Sequence, residues 1–546
     1  MPRGRQRPPQ ESIDSILLAI CRRDDLDNET LQHYFNRLQD EWTKEARNKV
    51  LHLLRSRDPA AHTAAILILA EVASEDDLEE LEDLVTDPML SDLAKLALAP
   101  ILKELGSEMV DDGMVEYLND PTSAIQQMQM RLLELVGKSE MGIESILQDV
   151  ISMPLDRRLS FISWLGSSND ARAAHLLIPL LENQPLKVAN AVVEALEQLG
   201  PIASLQSLPA LNYILTTDAP RSLKQQARAT LGRLMMQGEL GEEWPGHEVD
   251  LQQLTPYEAR ASYVDGTGSQ LVMLTWLRPD GLLKGMNVLY QDVVGIKDCY
   301  GIDGMDSERR ARLVQDLQEQ GFFSFLIPFD LARALILQAS ETTKRLHRKP
   351  PIAYIIWRPL LESSGRGEVI PSLSLDVRSL DAETLALAQR GGELFQLPEF
   401  LSWLYDPMER TEPFIARYLQ AYNAEAARRS HKLTSPQMEK LQTFLEELVD
   451  DALEELVDDH WRELFTVRLR LQAKLLQLAG HEYEAQLANA VTTVLDPASG
   501  VPGSQQHFLR TLMRMSIEQG PLRMMFASLH SGNASPPTNM HPVIDE

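Results

Sequence analysis

Two His–Glu dipeptides are the residues in this chain that most resemble metal ligands. They are His247 with Glu248 and His481 with Glu482. An imidazole next to a carboxylate can bind a transition metal, but a metal centre needs several such groups that converge on one point. No third dipeptide of this kind joins the two. The sequence therefore predicts no metal site.

The densest charge in the chain lies between Glu446 and Glu463, which contain nine carboxylates and one cation, Arg462. His460 and Glu463 are one helical turn apart, a spacing at which two side chains can share a ligand. Metal sites in helical bundles use Glu-x-x-His on paired helices, whereas the order here is reversed and occurs once. The pattern favours a solvated acidic helix face. A face that contacts a partner and a metal site are the alternatives.

Two glycine-containing loops could be mistaken for catalytic or phosphate-binding elements. Asp265–Gly268 has no lysine after its last glycine and no Asp-Thr-Gly triplet, so it is predicted to be a turn between strands. Gly137–Ser139 matches the end of a phosphate-binding loop, but Leu132 stands where the first glycine should be. The chain also lacks a Gly-x-Ser-x-Gly elbow. We predict no catalytic residue and no cofactor.

One dense basic cluster occurs, at the end of a predicted helix, and consists of Lys344, Arg345, His347, Arg348 and Lys349. Cations at that end complement the helix dipole, and a contact with a phosphate or an acidic partner is the alternative. Between Glu71 and Arg158, by contrast, 21 acidic residues face six basic ones, a net charge of −15. Such a surface repels phosphate backbones, so nucleic acid is not an expected partner.

Length and composition limit the number of domains and the kind of protein in which these motifs lie. The chain has 546 residues, 44% of them hydrophobic and 24% charged, and a net charge of −28. At about 150 residues per domain, the length predicts three to four domains of ordinary globular composition. Cys21 and Cys299 are too few for a disulfide framework. With no signal-peptide pattern and no apolar run of about 18 residues, we expect a cytoplasmic protein outside the membrane.

A repeat of about 32 residues runs through the first 240 positions. Its first mark is a proline, preceded by aspartate in the first three cases, at positions Pro59, Pro88, Pro121, Pro154, Pro185 and Pro220. An aspartate followed by proline predicts a helix start, because aspartate caps the helix and proline needs no hydrogen-bond donor there.

The second mark is an apolar residue followed by a small one, which predicts a helix end. The small residues are Ala73, Gly106, Gly137, Gly166, Gly200 and Gly232. Further apolar residues at helical spacing, such as Leu78 to Val85 and Leu176 to Leu181, predict a second helix in most units. Each unit is thus a helical hairpin too small to bury its own apolar face, so neighbouring hairpins must stack into an α-solenoid.

The sequence resembles the HEAT-like repeats of the short bacterial type, also found in phycobilin lyases, over about residues 46–237. The resemblance implies a scaffold that binds proteins. Some relatives are enzymes: one class, similar to deoxyhypusine hydroxylase, builds a di-iron site from His–Glu pairs on its repeats. Between Pro59 and Met236 the only histidines of this chain are His62 and His175. Chromophore handling like that of the phycobilin lyases has no supporting site.

The middle of the chain changes character after a linker at residues 238–250. Runs at Ala259–Val264, Leu271–Leu277 and Met286–Ile296 predict strands, and Arg278–Gly281 predicts a hairpin turn. Helices are expected from Asp306 or Ser307 to Gln320 and from Phe329 to His347, followed by a strand at Ile352–Trp357. We predict a small α+β domain over residues 251–377.

Helical patterns return beyond this domain and predict a helical bundle over residues 378–529. The predicted helices are Leu394–Tyr405, Pro413–Ala427, Pro436–Asp459, Trp461–Leu478, Tyr483–Leu495 and Gln505–Glu518. The remaining expected segments are a disordered tail at 1–10, the solenoid with its N-terminal capping helices at 11–237, and a disordered tail at 530–546.

The sequence thus predicts a mainly α protein that acts as a non-enzymatic scaffold or adaptor. Its partner would be a protein or peptide with a basic surface, bound by polar side chains on the second helices of the repeats. The alternative is an enzyme or small-molecule sensor housed in residues 251–377. The partner's identity, the partner-binding residues and the oligomeric state do not follow from the sequence.

Overall fold

The structure is a computed structural model, and it describes residues 12–22, 28–56, 58–110, 114–136, 140–182, 184–237, 251–319, 323–363, 379–426 and 435–531. These residues are mainly helical, with a five-stranded antiparallel sheet in the middle. None of the described helices is both long and apolar enough to cross a membrane. The predicted linker at 238–250 and the predicted tail at 1–10 lie outside the described residues.

The described residues as far as Glu134 form one compact unit, and those from Leu135 onward form a second. The helices that begin in the first unit are α1 (Ile13–Arg22), α2 (Asn28–Asp40), α3 (Lys44–Leu54), α4 (Pro59–Val72), α5 (Leu78–Thr86), α6 (Asp92–Glu104) and α7 (Pro121–Val136). Apolar side chains of α1 to α6 form one buried core, in which Ile16, Val50 and Leu98 are fully covered.

Most of the predicted helix starts are confirmed. Asp58 caps α4 by accepting a hydrogen bond from the Ala60 amide at 3.0 Å, with Pro59 in the first turn. Asp120 likewise accepts from the Ser123 amide at 3.1 Å where α7 begins. The last three prolines of the repeat each directly precede the first residue of a helix.

The predicted helix start at Asp87 and Pro88 is wrong. Helix α6 begins four residues later, where the Ser91 hydroxyl accepts from the Ala94 amide at 3.3 Å. The Asp87 carboxylate instead accepts a hydrogen bond from the Met89 amide at 2.9 Å, and the chain forms a turn there. Asp-Pro is as suitable for a turn as for a helix start, and the serine just downstream supplies the cap.

The predicted helix ends divide into two groups. Ala73 follows the last residue of α4, Gly106 has φ of 85°, and Gly200 caps the C-terminus of α11 with φ of 62°. Gly166 is the last residue but one of α9, so that predicted end is displaced by one residue, whereas Gly232 lies well inside α13 and its predicted end is wrong. Gly137 lies outside the described residues.

The second unit begins with six helices. Its first helices are α8 (Glu140–Ser152), α9 (Leu155–Ser167), α10 (Ala173–Leu177), α11 (Leu186–Leu199), α12 (Ser204–Thr216) and α13 (Arg221–Gln237). Helix α9 packs on α11, and α11 packs on α13. The predicted second helix at Leu176–Leu181 is the short α10 followed by a 3₁₀ turn, Ile178–Leu181.

The sheet follows, with strand order β4-β3-β2-β1-β5 and every pairing antiparallel. Its strands are β1 (Thr255–Ser262), β2 (Ser269–Leu277), β3 (Leu283–Gln291), β4 (Gly295–Met305) and β5 (Ser324–Leu326). The predicted hairpin turn is confirmed, because Leu277 pairs with Leu283 and Gly281 has φ of 85°. The run predicted as one strand, Met286–Ile296, contains the end of β3, a turn and the start of β4.

The helices α14 (Ser307–Glu319), α15 (Phe329–Arg345), α16 (Ile352–Trp357) and α17 (Pro359–Ser363) complete the middle segment. Asp306 caps α14 by accepting from the Arg309 amide at 2.7 Å, as one of the two predicted caps. The strand predicted at Ile352–Trp357 is wrong, since this segment is helix α16. A helix places Tyr354 and Trp357 on one buried side, and this packing outweighs the strand preference of an Ile- and aromatic-rich run.

The C-terminal segment contains α18 (Ala382–Ala388), α19 (Glu412–Ala426), α20 (Ser435–Leu456), α21 (Asp459–Leu478), α22 (Glu482–Leu495) and α23 (His507–Ser531). The helix predicted at Leu394–Tyr405 is wrong, because short 3₁₀ turns at Gly391–Gln396 and Pro398–Phe400 occupy its first part. Pro398 interrupts any helix there. Residues 530 and 531, predicted to be disordered, belong to α23.

The sheet and the C-terminal helices share one hydrophobic core. Trp403 is fully buried, and its indole nitrogen donates to the Val264 carbonyl at 3.0 Å. The Gln472 side chain of α21 accepts from the Val264 amide, also at 3.0 Å. The segments predicted as an α+β domain and a separate helical bundle are thus joined by buried contacts.

Candidate functional site

The His–Glu pairs do not form a metal centre in the described part of the chain. No group of three or more His, Cys, Asp or Glu side chains there could hold a metal ion. His481 and Glu482 are exposed at the start of α22, and the His62 ring bonds the Ser56 carbonyl. His247 and Glu248 lie outside the described residues.

The acidic stretch of the C-terminal segment is the exposed side of α20 and the start of α21. The buried side of α20 is apolar, while Glu447, Glu454 and Glu455 face solvent. Arg510 pairs with Glu446 at 2.8 Å and with Asp450, which neutralises part of the stretch. These positions are those expected for a solvated helix face.

A second acidic surface lies on the first unit, and we call it the α5 acidic surface. No Lys or Arg occurs between residues 58 and 94. Asp77 and Glu80 pair with Arg47, but five further carboxylates at the start of α5 and around it are exposed, namely Glu71, Glu75, Asp76, Glu79 and Asp83. Helix α5 is also one of the predicted second helices, which the sequence expects to contact a partner.

The basic cluster lies where it was predicted, at the C-terminal end of α15. Helix α15 ends at Arg345, and the chain turns there with His347 at φ of 51°. The Arg348 amide donates to the Thr343 carbonyl at 3.0 Å, which closes the helix. The cations of this segment are exposed, at the negative end of the helix dipole.

The loop Asp265–Gly268 is a turn between β1 and β2. The Asp265 carboxylate accepts from the amides of Thr267 at 2.9 Å and Ser269 at 2.8 Å. Those amides are therefore unavailable to a phosphate group. The turn nevertheless contributes Gly268 to a cavity that is a candidate ligand site.

This cavity has a volume of about 200 Å³ and lies between α15, α21 and the end of β3. Its apolar wall is formed by Val264, Leu335, Ala339 and Leu471, together with the exposed Val467 at the edge. Its polar lining consists of Tyr290, Asp292, Gln338, Thr342, Arg468 and Arg470. We refer to it as the α15–α21 cavity.

An ion pair between the buried Arg468 and the partly exposed Asp292 forms one side of the α15–α21 cavity. The Arg468 side chain is 1% exposed and binds Asp292 with both ends of its guanidinium, through Nε at 2.7 Å and Nη2 at 3.1 Å. Its Nη1 donates to the Gly266 carbonyl at 2.7 Å. A Cβ atom at Gly268 would collide with the Asp292 carboxylate, and φ of 81° also favours glycine there.

Two neighbouring groups titrate away from their ordinary values. Burial raises the pKa of the Tyr290 phenol, whose hydroxyl donates to Gln270. Burial also raises the pKa of Asp406, although the positive charge of Arg468 partly opposes that shift. Both shifts favour the neutral form of the side chain, as expected where the surroundings exclude water.

No protein-family model, curated protein or solved structure matches this chain. The resemblance to HEAT-like repeats stays a prediction.

The α15–α21 cavity was not predicted from the sequence, although one signal for it was present. Arg468 lies between Phe465 and Leu469 on the apolar side of a predicted helix, where a charged residue must find a buried partner. The partner, Asp292, is 176 residues away in the chain. Only the packing of α21 against the sheet brings the two together.

Proposed function

We propose that this protein is a non-enzymatic interaction scaffold built on HEAT-like helical repeats, and that it binds a protein partner with a basic surface. The hairpins of residues 11–237 would stack as a solenoid. The second helices of the repeats would carry the partner-binding side chains, with the α5 acidic surface as the main contact.

The observation that carries the proposal is a set of hydrogen bonds between residues about one repeat apart. In the first unit, Arg55 donates to Asp87, 32 residues later, at 3.0 Å. In the second unit, Gln226 donates to Glu194, 32 residues earlier, at 3.1 Å. Repeats that stack in register place equivalent positions of neighbouring units side by side, so a recurring separation of this size supports stacking.

A second bond of this kind links the same two helices of the second unit. The Thr230 hydroxyl of α13 donates to Glu197 of α11, 33 residues earlier, at 2.8 Å. Arg233 adds a charged contact to the same carboxylate. These contacts form a polar edge along the packed helices α11 and α13. They support the proposal that neighbouring repeats are held in a fixed register.

The chemistry of the partner follows from the α5 acidic surface. Its five exposed carboxylates have no Lys or Arg near them in the sequence, so they repel one another and attract a cationic surface. Complementary charge of this kind raises the association rate and selects the partner more than it raises the final affinity. Binding should therefore weaken as salt increases.

Affinity capture from source lysate with the full-length chain tests the proposal. One variant neutralises four carboxylates of the α5 acidic surface, by Glu75→Gln, Asp76→Asn, Glu79→Gln and Asp83→Asn. The matched control changes the charge equally on α20 and α21, by Glu447→Gln, Glu454→Gln, Glu455→Gln and Glu463→Gln. Capture is compared at about 50 mM and about 300 mM salt by quantitative mass spectrometry.

The proposal predicts at least one Lys/Arg-rich protein that wild type and control retain at low salt. The same protein should be lost from the α5 variant and from wild type at high salt. If no protein depends on the four carboxylates, or if variant and control lose the same proteins equally, the α5 acidic surface is not the contact. Circular dichroism melts of both variants check that the fold is retained.

A further inference from the structure

The α15–α21 cavity has the size of a site for a small molecule. Its volume of about 200 Å³ is below the roughly 300–1,000 Å³ of sites for drug-sized ligands. At the roughly 30 Å³ that a water molecule takes up in the liquid, it has room for about seven water-sized groups. It opens to solvent beside Gln338 and Val467, which are both exposed.

The inner wall of the cavity is suited to a hydrocarbon group. Leu335 is 1%, Val264 3% and Ala339 4% exposed, so their apolar surfaces already lie away from bulk water. An apolar group that replaces water against such a wall contributes about 25 cal/mol per Å² of apolar surface that it buries. The wall therefore favours an occupant with an apolar body.

The charges around the cavity are already matched. Arg468 is bound to Asp292, and the Nη2 atom of Arg470 lies 3.0 Å from the Asp496 carboxylate. A charged occupant of either sign would lose its hydration without meeting an uncommitted counter-charge, which is costly in a confined site. The lining thus disfavours both anions and cations.

What the lining still offers is hydrogen-bond donors. Thr342 brings a hydroxyl to the lining, and Gln338 brings an amide at the mouth. A ligand with an acceptor oxygen can bond to these groups, which replaces the hydrogen bond to water that its oxygen loses on entering the cavity.

We propose that the α15–α21 cavity binds a small uncharged molecule with an apolar body and a carbonyl oxygen. The oxygen accepts from Thr342 and Gln338, while the body lies against Val264, Leu335 and Ala339. This site is independent of the α5 acidic surface and belongs to the second unit. It would let the protein respond to a metabolite as well as to a protein partner.

Three isosteric probes test the charge argument on the full-length protein. Benzamide is neutral with a carbonyl oxygen, benzoate has the same shape with a negative charge, and benzamidinium has that shape with a positive charge. Each is titrated by ligand-observed NMR. The proposal predicts saturable binding of benzamide and affinities about tenfold or more lower for both ions, because neither charge is compensated.

Variants locate the binding. Ala339→Leu fills the cavity from its inner wall, and Val467→Trp covers its mouth from a position that is 54% exposed, where folding is not at risk. Both should abolish benzamide binding. Thr342→Val keeps the shape of the side chain and removes the hydroxyl, so it should weaken benzamide about threefold. Thr443→Val, on the exposed side of α20, is the matched control and should change nothing.

Three results would overturn the proposal. One is that none of the probes binds wild type. A second is that either ion binds as tightly as benzamide, which would contradict the matched charges. The third is benzamide binding that survives Val467→Trp in a folded protein, which would place the probe elsewhere. These outcomes are independent of any result on the protein partner, because the probes do not involve the α5 acidic surface.

Discussion

Replacing Gly166 and Gly232 with alanine should have opposite effects on stability, although the two glycines hold equivalent positions in the repeat. Both lie inside helices, in α9 and α13. An alanine Cβ at Gly166 would lie 2.8 Å from the Ala195 Cα atom of the neighbouring helix α11. A Cβ at Gly232 would have no neighbour within 4 Å.

The expected magnitudes follow from these two environments. Gly232→Ala removes the conformational entropy cost of glycine in a helix, so it should stabilise by about 0.5–1 kcal/mol. Gly166→Ala gains the same entropic stabilisation, but the new Cβ must push α9 away from the Ala195 backbone. Overpacking of this kind costs about 1–3 kcal/mol. The net effect should be destabilising by up to about 2 kcal/mol.

Hydrogen exchange with mass spectrometry measures both effects where they occur. A chain of this size does not unfold in one step, so a single melting temperature would mix several transitions. Peptides that cover α9, α11 and α13 report the local opening free energy, and about 1.4 kcal/mol corresponds to a tenfold change in exchange rate. Gly232→Ala should slow exchange in α13 about two- to fivefold, whereas Gly166→Ala should accelerate it in α9 and α11.

One result would refute the structural argument. If Gly232→Ala accelerates exchange in α13, the glycine adopts a left-handed conformation that ends the helix there, as its position in the repeat predicts. Likewise, an unchanged exchange rate in Gly166→Ala would mean that α9 and α11 are not in close contact at this point.

Three further substitutions test the second unit. Gly301→Ala would place a methyl group on top of the ring of the buried Trp357, so hydrogen exchange in β4 and α16 should accelerate, with a local loss of about 3 kcal/mol or more. Asp292→Asn removes the closer of the two carboxylates beside the buried Arg468, while Asp406 stays 3.7 Å away. Hydrogen exchange in α21 should therefore accelerate, with a local loss of about 3 kcal/mol or less. A hydrogen bond from the arginine partner on α13 holds the pKa of Glu197 below its ordinary 4.5, so its stabilisation is complete above that pH and is lost as the pH falls through the lower folded value. The difference in hydrogen-exchange rate of α11 and α13 between wild type and Glu197→Gln, compared at each pH, should therefore shrink as the pH falls from about 7 to below 4.5.

Local chemistry explains why some elements could be predicted closely. Asp58 with Pro59, the turn at Asp265 and the hairpin turn at Arg278–Gly281 each depend on bonds between residues a few positions apart. Such bonds form in the same way wherever the segment lies in the fold. Sequence patterns therefore predicted these features at the correct residues.

The same local signals failed where packing chose between two permitted structures. The run Ile352–Trp357 is compatible with a strand or a short helix, and the burial of Tyr354 and Trp357 on one side selects the helix. The indole of Trp357 also donates to Glu144, which is 213 residues away in the chain. No nearby residue indicates that contact.

By itself, the sequence determined a mainly helical chain with a small sheet in its middle, the principal helix starts and turns, and the uneven distribution of its negative charge. Each of these depends on residue type and short-range spacing. Tertiary structure alone decided that Gly166 is a point of contact between helices, that the sheet shares its core with the C-terminal helices, and that Arg468 meets Asp292 beside a cavity. Those features depend on residues tens to hundreds of positions apart, which come together only because burying apolar surface outweighs the entropy lost by ordering the chain.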